Sequence, residues 1–227
     1  MKHVLFIVTS TNVTGAGKHP AGYEFSEVAD PYEVFTVNGF TVDFASPKGG
    51  IAPYVGYDES KKTSKEFING PGFKRLNFSH PLEHINPHAY DAIFFPGGLG
   101  PMNDLVDDPL LKTMIKDVFE SGKVIGAVCH GPVALLNVQL SNGKYLVSGR
   151  HVNSFTELEE EEDGHTLGLV IPFLLDEALM EQGGIFSCAA PFKAHVVRDG
   201  NLITGQNPAS ATGVAEEMIV AMQTLAD

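Results

Sequence analysis

Short apolar runs alternating with segments of helical spacing constrain the fold of this chain more than any other feature. The clearest runs lie at residues 4–9, 41–45, 92–95, 124–128 and 201–204. Runs of that length bounded by turn formers predict buried strands. Between and after them, residues 24–38, 110–121, 132–136 and 209–225 have helical spacing. Leu110, Met114, Ile115 and Val118 fall on one face of such a helix, and Gly39 and Gly122 are placed as helix stops. Strands alternating with helices predict an α/β fold, flavodoxin-like, with a mostly parallel sheet sandwiched by helices. Such sheets bind ligands at the carboxyl ends of their strands.

Two regions interrupt this rhythm. Residues 47–86 hold many turn formers and little strand pattern, which predicts an insertion or lid near the site. Residues 154–181 begin acidic and turn helical. No internal repeat or linker divides the chain, so one domain over 1–227 is expected. With 227 residues, 43% of them hydrophobic, it can bury one sizeable core. The formal net charge of -13 argues against nucleic acid or anionic membrane partners, because both reward basic patches. Cys129 and Cys188 cannot form a disulfide framework and read as reduced thiols. The N-terminal apolar run is too short for a signal peptide, and no stretch approaches the roughly 20 apolar residues of a membrane span. A soluble, cytoplasmic protein is expected.

The chemistry concentrates where the run 124–128 breaks into Cys129-His130-Gly131-Pro132. Pro suits the first turn of a helix. A nucleophile on a sharp strand-to-helix turn is pushed toward solvent, above N–H groups that favour negative charge. The expectation is an exposed thiol that ionises more readily than a free one. His130 is its neighbour and needs an acid to fix its tautomer. The run Glu157-Leu158-Glu159-Glu160-Glu161-Glu162-Asp163 offers several. Phe94-Phe95-Pro96-Gly97-Gly98-Leu99-Gly100 is a strand entering a glycine-rich turn, which can lay a backbone N–H beside a developing oxyanion. It lacks the Lys-Ser/Thr ending of a phosphate loop.

Three segments, Phe95-Pro96-Gly97-Gly98, Ala127-Val128-Cys129-His130-Gly131-Pro132 and Gly205-Gln206-Asn207-Pro208-Ala209-Ser210-Ala211, resemble the ThiJ/PfpI superfamily, whose fold is that of the class I glutamine amidotransferases. The stretch from Gly22 to Tyr32, which contains Glu27, is similar to the glutathione-independent glyoxalase branch, which also holds heat-shock chaperones. The resemblance implies that Cys129 is the nucleophile and His130 its proton-handling neighbour. It implies Glu160 as the acid that orients His130, with Glu159 as the alternative one residue away. Glu27 would hydrogen-bond the sulfur. Gly98 and His130 would supply the oxyanion donors, with Gly97 beside them, and Asn207 would hold the turn at the sheet end. Many relatives carry His after the paired glycines, where this chain has Leu99.

If Glu27 is buried beside Cys129, its pKa should rise by desolvation and by the thiolate's charge. A protonated Glu27 could then donate to the thiolate and later shuttle a proton. His80, His84 and His88 have a metal-like spacing of four, but Pro81 and Pro87 argue against the continuous helix needed to align them. Neither a metal nor another cofactor is expected. No role is assigned to His165 or His195, and Cys188 reads as a packed thiol. The resemblance implies a cofactor-independent glyoxalase that hydrates a small 2-oxoaldehyde, methylglyoxal, to D-lactate, in a chain that is often a homodimer. A holdase chaperone or redox sensor is the alternative of a different class. An exposed apolar patch around residues 47–72 would favour it. Protein deglycase and amidase activities stay open among the enzymes.

Overall fold

The computed structural model describes residues 2–15 and 18–224. Its centre is a sheet of seven strands: β1 (His3–Ile7), β2 (Thr41–Ser46), β3 (His80–Pro81), β4 (Ala92–Phe95), β5 (Val124–Val128), β6 (Val196–Asp199) and β7 (Leu202–Gly205). Their order across the sheet is β6-β7-β5-β4-β1-β2-β3. Every neighbouring pair is parallel except β6 and β7. The apolar runs therefore form strands, each within a residue or two of the expected limits. The antiparallel β6 was not legible, because its burial is only partial and its sequence includes Arg198 and Asp199.

Side chains alternate across the sheet, as strand geometry requires. Val4 and Phe6 enter one layer with Phe44, Phe94, Val128 and Ile203. There they meet α1 (Ser26–Val37) and α8 (Ala211–Thr224). Leu5 and Ile7 enter the opposite layer with Ile93, Phe95, Ile125 and Ala127. That layer is covered by α5 (Pro109–Glu120), whose Met114, Ile115 and Val118 are buried as their spacing predicts; Leu110, expected on the same face, is exposed, and Leu111 takes its place because it lies three residues before Met114 and four before Ile115. The expected closing helix matches α8, although its anticipated last residue, Leu225, lies outside the described residues.

The insertion at 47–86 contains structure that its turn formers conceal. It holds the helices α2 (Lys62–Asn69) and α3 (Pro71–Leu76) and the edge strand β3. Ala52, Phe67 and Leu76 anchor it in the core, and Tyr54–Val55 pairs with Tyr23–Glu24. The segment 132–136 is a correction. Gly131–Leu135 makes a 3-10 turn, with Val133 N–H donating to the His130 carbonyl at 3.1 Å. Leu136 is extended and Asn137 has φ 61°, so the chain leaves the turn before an α-helix can propagate. Two further short helices lie on the carboxyl side of the sheet: α4 (Pro101–Asp104) after β4, and α6 (Glu157–Glu162). α7 (Leu175–Glu181) follows.

Candidate active site

β4 and β5 are adjacent, and their carboxyl ends carry Gly97 and Cys129 side by side. Cys129 has φ 60°, a conformation that L-residues with a side chain adopt at a cost of roughly 1–2 kcal/mol. Two backbone bonds hold it there: its N–H donates to the Gly205 carbonyl of β7 at 2.9 Å, and its carbonyl accepts from Phe155 N–H at 2.9 Å. The turn thus stores strain at Cys129. Gly97 allows the two turns to touch. A Cβ there would stand 2.6 Å from His130 N, 2.7 Å from Val128 O and 2.8 Å from Cys129 Cβ. Gly98 has φ 86°, and a Cβ there would stand 2.4 Å from the Gly22 carbonyl. The Gly98 N–H points at the sulfur and favours its charged form.

Glu27 stands in the first turn of α1 and is wholly buried. Its Oε2 accepts the Gly97 N–H at 2.5 Å. Gly97 therefore spends its N–H on Glu27 and leaves the oxyanion role implied for this loop to Gly98. Oε1 has no hydrogen bond of ordinary geometry, and the carboxyl interacts with the Cys129 side chain. Burial, reinforced by the charge of Glu24, holds the Glu27 carboxyl well above the usual carboxylate range.

The thiol differs from the sequence expectation. Cys129 is only 4% exposed, and burial together with the nearby Glu27 pushes its pKa up. The elbow does present N–H donors, but chain from distant parts of the sequence removes the water that an exposed thiolate would need. Two buried groups in contact cannot both carry charge. Burial and their mutual charge both favour the protonated forms, and a sulfur that ionises is faced by Glu27 as a hydrogen-bond donor.

His130 lies on the other side of the sulfur, with Nδ1 3.4 Å from Sγ. Its Nε2 is 2.7 Å from Glu160 Oε1, and both side chains are buried. Glu160 thus orients the ring, with Nε2 toward the carboxylate and Nδ1 toward the thiol. Burial opposes the charge of Glu160, but the His130 and His165 rings outweigh it and hold the carboxyl at about 2. Glu159 does something else. It closes a capping box with Thr156, and its Oε1 accepts from Asn207 Nδ2 and Phe192 N–H, both at 2.8 Å. Asn207 also donates to the Lys193 carbonyl at 2.8 Å and so ties the end of β7 to α6.

Sequence reasoning missed His165, whose Nδ1 lies 2.6 Å from Glu160 Oε2. Its signal was the Gly164-His165 pair directly after the acidic helix, a place where a chain turns back on its helix. His130, Glu160 and His165 offer ligand atoms within 4.8 Å of one another, the one such group among the described residues. A divalent cation there would have to displace both hydrogen bonds of the shared carboxylate. His80, His84 and His88 are spread over β3 and two separate 3-10 turns, which is what Pro81 and Pro87 imply. His195 accepts or donates a 3.0 Å bond with Ser187, away from the sulfur. Cys188 is exposed, not packed, because it sits in an irregular stretch after a two-residue ladder.

Glu27, Gly98, Cys129, His130 and His165 line a cavity of about 300 Å³. His19, Pro20, Val55, Leu99 and Phe155 complete its walls around the sulfur. Leu99 also packs with Ala21 and Ile171, so it is both wall and core. The lining includes Glu24, Glu27 and Asp163 but neither lysine nor arginine.

Residues 19–221 match the profile of the DJ-1/PfpI family. The chain belongs to the DJ-1/PfpI family. Among its curated relatives, the glutathione-independent glyoxalase hsp3102 of Schizosaccharomyces pombe is 34% identical, over 88% of this chain and 89% of its own. Glyoxalase 3 of Candida albicans is 30% identical over 98% and 99%. Among solved structures, the Rapid Encystment Protein 24 kDa of Francisella tularensis superposes with a TM-score of 0.93 at 32% identity, covering 98% of this chain and 99% of the other. Glyoxalase III of Candida albicans superposes with a TM-score of 0.83 at 26% identity, covering 97% of each. The mostly parallel sheet flanked by helices is thus the family's fold, and the elbow falls within the matched segment.

Proposed function

We propose that this chain is a cofactor-independent glyoxalase, a lyase that converts methylglyoxal and water to D-lactate. One observation carries the reading: the Cys129 sulfur stands between two proton carriers, His130 on one side and buried Glu27 on the other. Converting a 2-oxoaldehyde to a hydroxy acid needs a nucleophile and a base that moves hydrogen between adjacent carbons. His130 takes the thiol proton, and the sulfur attacks the aldehyde carbon C1. The oxygen of the hemithioacetal faces the Gly98 and His130 N–H groups. Glu27 lends its proton to the C1 oxygen as the hemithioacetal forms, and the carboxylate so made carries the C1 proton to C2 through an enediol, regaining its own as the C1 carbonyl forms. The product of this shift is a thioester, so C1 is oxidised while C2 is reduced and no outside oxidant is used. Water then cleaves the C–S bond, which releases lactate and restores the thiol.

The cavity supports a small, neutral substrate. Its size suits a three-carbon aldehyde, and carboxylates without a facing lysine or arginine disfavour an anion. They also disfavour retention of lactate once it forms. Free Cys129 and Cys188 fit a reducing cytoplasm, and no described helix is long and apolar enough to cross a membrane. The chain acts as one domain and assembles as a homodimer, which its mass in solution tests. The decisive assay is lactate formation from methylglyoxal by purified protein without glutathione. Absence of lactate while Cys129 is shown to be free and reduced overturns the reading.

A second reading rests on a separate observation. The insertion exposes Ile51, at 77%, together with Tyr54 and Tyr57. Apolar groups there suit a holdase that shields unfolded clients. Suppression of client aggregation by Cys129→Ala would separate that activity from catalysis; loss of suppression with the thiol would count against the separation.

A further inference from the structure

Glu160 has two carboxylate oxygens, and each is held by a different imidazole. Oε1 meets His130 Nε2 at 2.7 Å, and Oε2 meets His165 Nδ1 at 2.6 Å. His165 is also bound to Glu160 through the backbone, its N–H donating to the Glu160 carbonyl at 2.8 Å. This is the helix-terminating arrangement in which the residue after a left-handed glycine bonds back to the carbonyl five residues earlier. Gly164 supplies that conformation, with φ 72°, and its own N–H donates to the Glu161 carbonyl at 3.2 Å. The end of α6 is thereby folded so that one residue grips both the backbone and the side chain of Glu160. His165 also lines the cavity beside Cys129, so it joins the interior relay to the cavity wall.

We propose that His165 is a positioning residue that holds Glu160 in the orientation serving His130 and, when protonated, offsets the Glu160 charge that His130 feels. The inference rests on the Cys129–His130–Glu160 reading of the site. A carboxylate bonded on one oxygen can rotate; one bonded on both cannot without breaking a charge-assisted bond. The second effect is electrostatic. The Glu160 hydrogen bond favours the protonated His165, with Asp163 adding to it. Other titratable groups near the ring are His19, at 6.1 Å between ring centroids, His130, at 6.3 Å, and Glu157 and Glu161 along the groove on its outer side. The cation on His165 therefore sits next to the one carboxylate that steers the catalytic imidazole. Below its titration it also favours the Cys129 thiolate. Above its titration only the hydrogen bond to Glu160 remains.

The test compares wild type, His165→Asn and His165→Leu, all in a Cys188→Ser background so that Cys129 is the only thiol. Asn presents an N–H donor near the Nδ1 position but cannot take a charge. Two readouts are followed across pH: kcat with methylglyoxal, and the alkylation rate of Cys129 by iodoacetamide. His165→Leu, which can neither bond Glu160 nor take a charge, should lose roughly tenfold in kcat on the alkaline side, part of what a positioned proton carrier supplies, and more on the acid side, with little change in KM. His165→Asn should approach wild type within about threefold on the alkaline side and fall away on the acid side, where wild-type His165 is charged. A purely structural role would shift the whole profile by a constant factor. Parallel profiles for His165→Asn and wild type, or an unaltered His165→Leu, overturn the proposal. The alkylation arm needs no turnover, so it decides the role of His165 even if methylglyoxal is not the substrate. Should His165→Leu fail to fold, the His165→Asn profile decides alone.

Discussion

Replacing Glu27 by Gln separates two things a buried carboxyl beside a thiol can do. The wild-type group is wholly buried, spends Oε2 on the Gly97 N–H at 2.5 Å and interacts with the Cys129 side chain. A Gln amide reproduces that arrangement, with its oxygen on Gly97 and its NH₂ toward Cys129, so it mimics the protonated acid. It cannot release or accept a proton. Positioned acid–base catalysis contributes about 10²–10⁴-fold, or roughly 3–5 kcal/mol of barrier. Glu27→Gln should therefore lose at least about 100-fold in kcat for methylglyoxal while Cys129 alkylation stays within about threefold of wild type.

The same substitution has a stability signature. The carboxyl titrates in its ordinary range when the chain is unfolded and well above it when folded, because burial opposes the charge. A folded pKa above the unfolded one gives stability that is fully present below the carboxylate range and is lost as pH rises. The loss can reach about 1.4 kcal/mol per pH unit until the folded group ionises. Glu27→Gln has nothing to ionise, so denaturant unfolding between pH 5 and 8 (a window chosen between the ordinary carboxylate and thiol ranges) should show a flatter profile. Turnover within about tenfold of wild type would refute a proton-carrying Glu27. Parallel loss of alkylation and turnover would show that Glu27 acts on the sulfur and not on the carbon-to-carbon transfer.

Other expectations follow from single contacts. Cys129→Ala and Cys129→Gly should both be inactive. The glycine variant should be the more stable of the two by about 1 kcal/mol in chemical unfolding, because it relieves the strain of φ 60°. Gly97→Ala should cost about 1–3 kcal/mol and most of the activity, since its methyl would meet backbone on β5 and at His130. Half-buried Lys112 donates to the Leu105 carbonyl at 2.9 Å and to the Ala134 carbonyl at 2.8 Å, which ties the turn after β4 to the turn after β5. Lys112→Met should leave both acceptors without that donor and lower stability by about 1–3 kcal/mol, read as a lower melting temperature.

The strands, the cysteine elbow and the glycine turn were legible because each is written in a few consecutive residues. An apolar run of strand length between turn formers has few ways to be buried, and Val128-Cys129-His130-Gly131-Pro132 states its own break. The short helices of the insertion were less legible, since α2 and α3 owe their stability to Phe67 and Leu76 docking in a core built by distant strands. The acidic run shows the limit most clearly. Consecutive helical residues point about 100° apart. Glu159 and Glu160 therefore serve different partners, and only the docking of α6 on β7 and Asn207 decides which one meets His130.

By itself, then, the sequence determined the α/β sheet, the thiol at a strand end and a surplus of carboxylates available to orient a histidine. Tertiary structure decided which carboxylate is used, that Glu27 reaches the sulfur from another strand's helix and that His165 grips Glu160 from behind. It also decided that the thiol is covered and not exposed. The physical reason is range. Backbone propensity and apolar patterning act over a few residues. Burial, the pKa shifts it causes and the pairing of charges depend on groups that the chain brings together from up to a hundred residues away, as Glu27 and Cys129 are, about that far apart in sequence.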